Sequence, residues 1–110
     1  MHNDAPVTPP EACFSMAELR DAIDVLDRRL VTLLARRQLY IERAAVLKKS
    51  RGAVRDEARI EDVVAKVIAE GGRAGLSAQI AAPVWRTLIE ASIAHEFAAF
   101  DRFNSRDRSR

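Results

Sequence analysis

An unbroken apolar stripe at helical spacing is the feature that most limits how this chain can fold. Ser15 is followed three residues later by Glu18, the pattern of a capping box that starts a helix. Beyond it, apolar residues recur at alternating intervals of three and four, the period of one helix face. They are Met16, Leu19, Ile23, Leu26, Leu30 and Leu33. No glycine or proline interrupts the pattern before Gly52, so the helix is predicted to continue to about Lys49.

A helix of this length cannot bury its stripe within one small subunit. It would span roughly 50 Å, at about 1.5 Å per residue. A compact chain of 110 residues has a radius of gyration of only about 13 Å. The simplest remedy is a second copy, so we expect an intertwined homodimer.

Two further helices are predicted after the break at residues 50–53. Asp56 is expected to start the second helix, and Gly71, Gly72 and Gly75 to end it. Ser77 is expected to cap the third, in which Pro83 lies beyond the first turn and allows either a kink or a later start. The predicted fold class is all-α, with one long N-terminal helix and two shorter helices.

Composition supports helices and excludes several kinds of site. The chain is 48% apolar and 31% charged, with four Gly and four Pro, whereas a sheet protein needs more turn residues. Cys13 is the only cysteine and there are two histidines, so neither an internal disulfide nor metal-ligand spacing is expected. We find no apolar run long enough for a membrane span and no signal-peptide pattern. A cytoplasmic protein without metal or membrane contact is therefore expected.

Three regions are predicted along the chain. Residues 1–14, with three prolines, resemble a flexible arm, residues 15–101 form the helical domain, and residues 102–110 form a basic flexible tail. Such a tail is usually solvated. We therefore expect no nucleic acid as a partner.

Polar residues that fall on the apolar stripes are the candidate functional residues. Continuing the stripe of the first helix leads to Arg37, which either lies at its edge and reaches water or is a buried cation that awaits an anion. Lys48 lies on the same face within about 20°, about 16 Å further along. Two long cationic side chains at this spacing could hold a small anion between them.

Arg20 cannot share a small ligand with Arg37 of its own chain. The two lie about 25 Å apart along the helix and about 100° apart around it. In an antiparallel helix pair, however, Arg20 of one chain could approach Arg37 of the other. The alternative is a surface arginine in the first turns.

The third helix has polar residues on its apolar face as well. The series through Trp85 and Ile89 continues to Ser92 and Glu96. Burial disfavours the charged form of a carboxyl, so Glu96 is a candidate hydrogen-bond donor, unless it pairs with a nearby arginine or is exposed at a frayed end. A serine such as Ser92 is more often a small residue tolerated in a core than a ligand contact.

The presence of Asp56 and Arg59 can be explained without assigning either residue a function. An acid at a helix start and an ion pair three residues apart account for both. We find no nucleophile with a base and no glycine-rich phosphate loop. Cations with one carboxyl suit a reaction that requires positioning and charge stabilisation only.

The order of these residues resembles that of the all-helical chorismate mutases. LRDAIDVLD at 19–27 is similar to the family's LRxxIDxLD opening, and LLARR at 33–37 to its LLxxR segment. Lys48 stands where the family has the lysine of its first helix, and VRDEAR at 54–59 resembles the VxDxxRE start of the second helix. The resemblance covers roughly residues 16–100.

The resemblance implies a homodimer with two equivalent sites for chorismate, a small dicarboxylate, and no cofactor. Arg20 would cross to the neighbouring site and bind one carboxylate, while Arg37 binds the other. Lys48 would bond the ether oxygen whose C–O bond breaks as chorismate rearranges to prephenate. The residues implied to line the pocket are Asp56, Arg59 and Ser92.

Two departures from the family pattern bear on function. Ile60 stands where the family usually has a glutamate for the substrate hydroxyl, and this is similar to the related isochorismate pyruvate lyases. Glu96 stands where bacterial members commonly have glutamine, so it must be protonated to donate to the ether oxygen. The alternatives are thus a lyase that makes salicylate and pyruvate from isochorismate, and a non-catalytic helical dimer that serves as an interaction module.

Overall fold

The protein is all-helical, as the sequence predicts. The computed structural model describes residues 6–108, and within them no strand occurs. Its three α-helices are α1 (Met16–Leu47), α2 (Glu57–Ala74) and α3 (Ala78–Arg108). Single 3₁₀ turns lie at Pro10–Ala12 and Arg51–Ala53. The first five residues of the predicted arm and the last two of the predicted tail lie outside the described residues.

The chain forms two compact units, Met1–Leu39 and Tyr40–Arg110. In the first, the extended segment before α1 contributes Pro6, Val7 and Thr8 to a shallow surface depression that Glu18 and Asp21 also line. The second contains the last turns of α1, the segment of residues 48–56, and the helices α2 and α3. The second unit holds most of the buried side chains.

The predicted capping box starts α1. The amide of Glu18 donates to the Ser15 hydroxyl at 3.1 Å, and the Glu18 carboxylate accepts from that hydroxyl and from the Phe14 amide, both at 3.2 Å. The Glu18 amide, one of the otherwise unpaired donors in the first turn of the helix, is thereby satisfied. The helix ends at Leu47, two residues before the predicted end.

Asp56 starts α2 as predicted, but its predicted end is only partly right. The Asp56 carboxylate accepts from the Arg59 amide at 3.0 Å. Gly75 follows the helix with φ 87°, the left-handed conformation that glycine adopts at little cost. Gly71 and Gly72, which we expected to help end the helix, lie inside it. A Cβ at Gly71 would lie 3.5 Å from Cβ of Leu76, and the Leu76 amide donates to the Gly71 carbonyl at 2.7 Å.

Ser77 caps α3, and the helix continues through Pro83. The Ser77 hydroxyl accepts from the Gln79 amide at 3.1 Å. The helix begins at Ala78, so the alternative of a later start was wrong. It continues to Arg108 and therefore enters the segment predicted as a tail, whose flexibility stays a prediction. At 31 residues, α3 is almost as long as α1, which has 32.

Two small apolar clusters form the core of the second unit. In one, Ile60 and Val64 of α2 pack on Ile89 of α3, with Val63, Trp85 and Ile93 around them. In the other, Ala45 of α1 and Val54 pack on Ala99 and Phe100 of α3. Side chains from the end of α1, from the segment of residues 48–56 and from α3 therefore share one cluster.

Exposed ion pairs join α3 to the elements beside it. Arg86 donates to both carboxylate oxygens of Glu61 on α2, at 2.9 and 3.0 Å. Arg55 donates to both of Glu90 at 2.9 Å. These hydrogen bonds hold the pKa of each glutamate below its ordinary value of 4.5.

We expect the stability of this unit to fall in acid partly because of these two carboxylates. A folded-state pKa below the unfolded one contributes stability above the unfolded pKa, and this is lost as pH falls through the folded pKa. Replacing Glu61 by Gln should slightly lower the free energy of unfolding at neutral pH and flatten its decline below pH 4.5. Urea unfolding at a series of pH values measures both, and an unchanged pH dependence would contradict the assignment.

Candidate functional site

Lys48 is placed where α1 gives way to the segment of residues 48–56. Its amide donates to the Ala44 carbonyl at 3.0 Å, which continues the helical bonding by one residue. Its ammonium donates to the Val54 carbonyl at 3.3 Å, and 29% of the side chain stays exposed. The backbone of that segment therefore fixes the direction of the lysine.

Glu96 is the buried carboxyl that the apolar stripe of α3 suggested. Only 4% of the residue is exposed, and one carboxyl oxygen, Oε2, lies 2.6 Å from Nζ of Lys48. Burying a lone carboxylate is costly, and a partly buried ammonium at this distance offsets the cost. The alternative of an exposed Glu96 at a frayed end was wrong, and its partner is a lysine rather than an arginine.

The contact leaves Oε2 of Glu96 without a hydrogen bond. The atom is buried, and within residues 6–108 it accepts no hydrogen bond, although the Lys48 ammonium lies 2.6 Å away. Attraction between the charges remains. Buried polar atoms are nearly always hydrogen-bonded in proteins, so this oxygen is a candidate for contact with a ligand.

Ser92 precedes Glu96 by one turn of α3 and lies on the same face. Its hydroxyl donates to the Leu88 carbonyl of its own helix at 2.7 Å, and the residue is half-buried. This bond satisfies the hydroxyl within its own helix. Ser92 can therefore be tolerated as a small polar residue in a core, which is one of the two interpretations from the sequence.

The three predicted pocket residues of α2 have different surroundings. Asp56 caps the helix, and the Arg59 guanidinium pairs with Asp62 at 2.9 Å rather than with Asp56. Both Asp56 and Arg59 are exposed. Ile60 is 7% exposed and packs on Val64 and Ile89, so its side chain fills the core between α2 and α3.

The two candidate arginines lie in the first unit. Arg20 is exposed in the first turns of α1, and Arg37 is half-buried near the end of that unit. That Arg37 shares a ligand with Lys48, and that Arg20 reaches the site of a second copy, both stay predictions.

The comparison with known protein families agrees with the all-helical fold. Residues 19–97 match the family described as chorismate mutase type II. The chain belongs to this family. A comparison with curated protein sequences gave no match.

Membership in the chorismate mutase type II family supports a chorismate mutase-type function, which implies an isomerase that acts on a small molecule. Both Lys48 and Glu96 lie within the matched residues. In the described part of the chain, no cluster of metal-ligating side chains occurs. None of the helices there has the length and apolar character that crossing a membrane requires.

Sequence reasoning missed two features beside the paired residues. The Val54 carbonyl is the acceptor for Lys48, and a backbone group leaves no signature in the residue type. Next to Glu96, the ring nitrogen Nε2 of His95 lies 2.7 Å from a carboxylate oxygen of Glu42 on α1. The signal for this pair was weak, because Glu42 is one of 16 acidic residues in the chain.

Proposed function

We propose that the protein is a chorismate mutase that rearranges chorismate to prephenate, a step toward phenylalanine and tyrosine. The observation that carries the proposal is the Lys48 ammonium beside a buried Glu96 carboxyl whose Oε2 accepts no hydrogen bond. Chorismate mutase type II membership supports the same class of reaction. The enzyme would act in the cytoplasm.

The reaction needs positioning and charge stabilisation rather than a nucleophile. In this Claisen-type rearrangement the ether C–O bond breaks while a C–C bond forms, and no atom is gained or lost. The protein accelerates it by holding the conformer whose reacting ends are close and by stabilising negative charge that grows on the ether oxygen. Lys48 would donate to that oxygen from one side.

Glu96 would be the second donor to the ether oxygen, and this role requires a proton on its carboxyl. The carboxyl lies 2.6 Å from the Lys48 ammonium, the other proposed donor. An ionised Glu96 would repel the developing oxyanion. Catalysis would therefore require Lys48 and a protonated Glu96 carboxyl to donate to the ether oxygen together.

Arginines would bind the two carboxylates of the substrate. By the family pattern, Arg37 binds one of them and Arg20 of the partner subunit binds the other. Arginine presents a rigid fork of donors that matches a carboxylate. Asp56, Arg59 and Ser92 would line the pocket.

A homodimer is the assembly that the exposed surface of α1 favours. The predicted stripe remains open to solvent in the single chain, with Ile23 and Leu26 each 47% exposed and Leu30 and Leu33 each 55% exposed. A continuous apolar surface of this kind usually marks an interface. A second copy of α1 carries a matching stripe and would cover it.

Isochorismate pyruvate lyase activity is the second candidate, because Ile60 replaces the glutamate that the family usually has there. With an apolar side chain packed on Val64 and Ile89, this position offers no partner for a substrate hydroxyl. A lyase would release pyruvate from isochorismate and leave salicylate.

Assaying the purified chain with each substrate decides between the two activities. We expect prephenate from chorismate, followed by absorbance, and no salicylate fluorescence from isochorismate. Replacing Arg37 by Ala should lower kcat/KM by about a hundredfold, since losing one partner of a charge-assisted contact costs about 2–5 kcal/mol. Salicylate as the main product would favour the lyase, and turnover of neither substrate would refute both proposals.

Introducing a charge into the α1 stripe should separate the subunits. In sedimentation experiments the wild-type protein should have twice the mass of one chain, and Leu30→Glu should shift it to the mass of one chain with loss of activity. Arg28 lies about 160° around the helix from Leu30. The control Arg28→Glu should therefore leave the dimer intact, and a wild-type monomer would overturn the proposed assembly.

A further inference from the structure

The segment of residues 48–56, here called the α1–α2 connector, carries the lysine of the proposed site at its first residue. Two backbone hydrogen bonds hold its 3₁₀ turn. The Ala53 amide donates to the Ser50 carbonyl at 3.1 Å, and the Val54 amide donates to the Arg51 carbonyl at 3.2 Å. Val54 is 3% exposed and is the one connector residue in a core cluster. Most of the connector is on the surface.

Arg51 fastens the connector to α3. Its Nε and Nη2 donate to the two carboxylate oxygens of Asp101, at 2.9 and 3.2 Å. The guanidinium carbon also lies 4.4 Å from the centre of the Phe97 ring, within the range of a cation–π contact. A bidentate pair with an aromatic contact fixes orientation as well as distance.

Arg55 fastens the other end of the connector to the same helix. Its Nη1 and Nη2 each donate to one carboxylate oxygen of Glu90 at 2.9 Å, and its Nε donates to Glu57 at 2.6 Å. The connector is thus joined to α3 by two bidentate arginine–carboxylate pairs, here called the two clasps: Arg51–Asp101 and Arg55–Glu90.

The clasps bracket the proposed reaction centre along α3. At about 1.5 Å per residue, Glu90 lies about 9 Å before Glu96 and Asp101 about 7.5 Å after it. Between the two arginines along the connector lies Val54, whose carbonyl accepts from the Lys48 ammonium. The position of that carbonyl relative to Glu96 therefore depends on how the connector is held against α3.

We propose that Arg51 and Arg55 are positioning residues that set the Lys48 ammonium beside the Glu96 carboxyl by holding the connector. This inference rests on the proposed function for its effect on turnover. A lysine side chain has a flexible four-carbon stem, so its direction depends on its acceptor. If the connector moves away from α3, the ammonium follows the Val54 carbonyl and leaves the reaction centre.

The contribution of the clasps to stability is small by comparison. All four side chains are 41–60% exposed, and exposed ion pairs contribute little to the free energy of unfolding. Their main consequence is the order of the connector. A misplacement of about 1 Å at a reaction centre costs up to about a hundredfold in rate.

The chain offers a matched control in the Arg86–Glu61 pair. It is also bidentate, has side chains that are 50% and 62% exposed, and joins α2 to α3, but it lies outside the connector. The variants Asp101→Asn and Glu90→Gln remove one charge from each clasp without changing side-chain size, and Glu61→Gln does the same to the control pair.

Turnover of chorismate gives the first readout. We expect Asp101→Asn and Glu90→Gln each to lower kcat by about tenfold, with little change in KM, and Glu61→Gln to leave both unchanged. In a Lys48→Ala background, the same two changes should lower kcat by less than about twofold, because they act through that lysine. An equal loss in both backgrounds would mean a purely structural effect and would overturn the inference.

Amide hydrogen exchange gives a readout that does not depend on activity. The Val54 amide should exchange about tenfold faster in Asp101→Asn than in the wild type, and at the wild-type rate in Glu61→Gln. Clasp variants that match the control in both turnover and exchange would overturn the inference. Failure of the proposed function would instead appear as a wild-type protein that does not convert chorismate, whatever the exchange rates.

Discussion

The contact between the Lys48 ammonium and the buried Glu96 carboxyl is the interaction on which the proposed site depends. It places an ammonium and a carboxyl 2.6 Å apart beside an apolar cluster, where a lone charge would be costly. Ala45, Val54 and Ala99 hold the end of α1, the connector and α3 together around this contact. The chemistry of the site therefore follows from how these three elements pack.

A second constraint is the apolar surface of α1. Much of the apolar surface of this chain lies on α1, which is also the helix that the single chain buries least. Few side chains of α1 are buried, and the large apolar ones of its first unit are exposed. By contrast, α2 and α3 pack on each other within the second unit. Dimerisation would give α1 the partner that its own chain does not supply, and it would bring an arginine from the partner subunit to each site.

Much of the fold was predictable because its signals are local. The capping box of Ser15 and Glu18, the cap at Asp56 and the cap at Ser77 each depend on residues within three positions of one another. Lys48 is a candidate from the sequence because it lies on the same helix face as Arg37, and Glu96 because it is a carboxyl on an apolar stripe; their roles stay predictions. Their direct pairing did not follow from the pattern, since helical periodicity gives the face of a residue but not the distance between helices.

The features that escaped prediction depend on contacts between distant parts of the chain. With 31% charged residues, the sequence offers many partners for Arg51 and Arg55, and their pairing with Asp101 and Glu90 follows only from the packing of the connector on α3. Gly71 inside α2 is similar, because its lack of a side chain matters only where Leu76 folds back against it.

The pH dependence of turnover in Glu96→Gln tests the central claim most directly. If Glu96 donates a hydrogen bond to the ether oxygen, the rate of the wild-type enzyme falls as pH rises, because only a protonated carboxyl can donate. A glutamine at this position donates at every pH, so the variant should stay active with a flat profile over the same range. A variant with the same pH profile as the wild type would contradict the role assigned to this carboxyl.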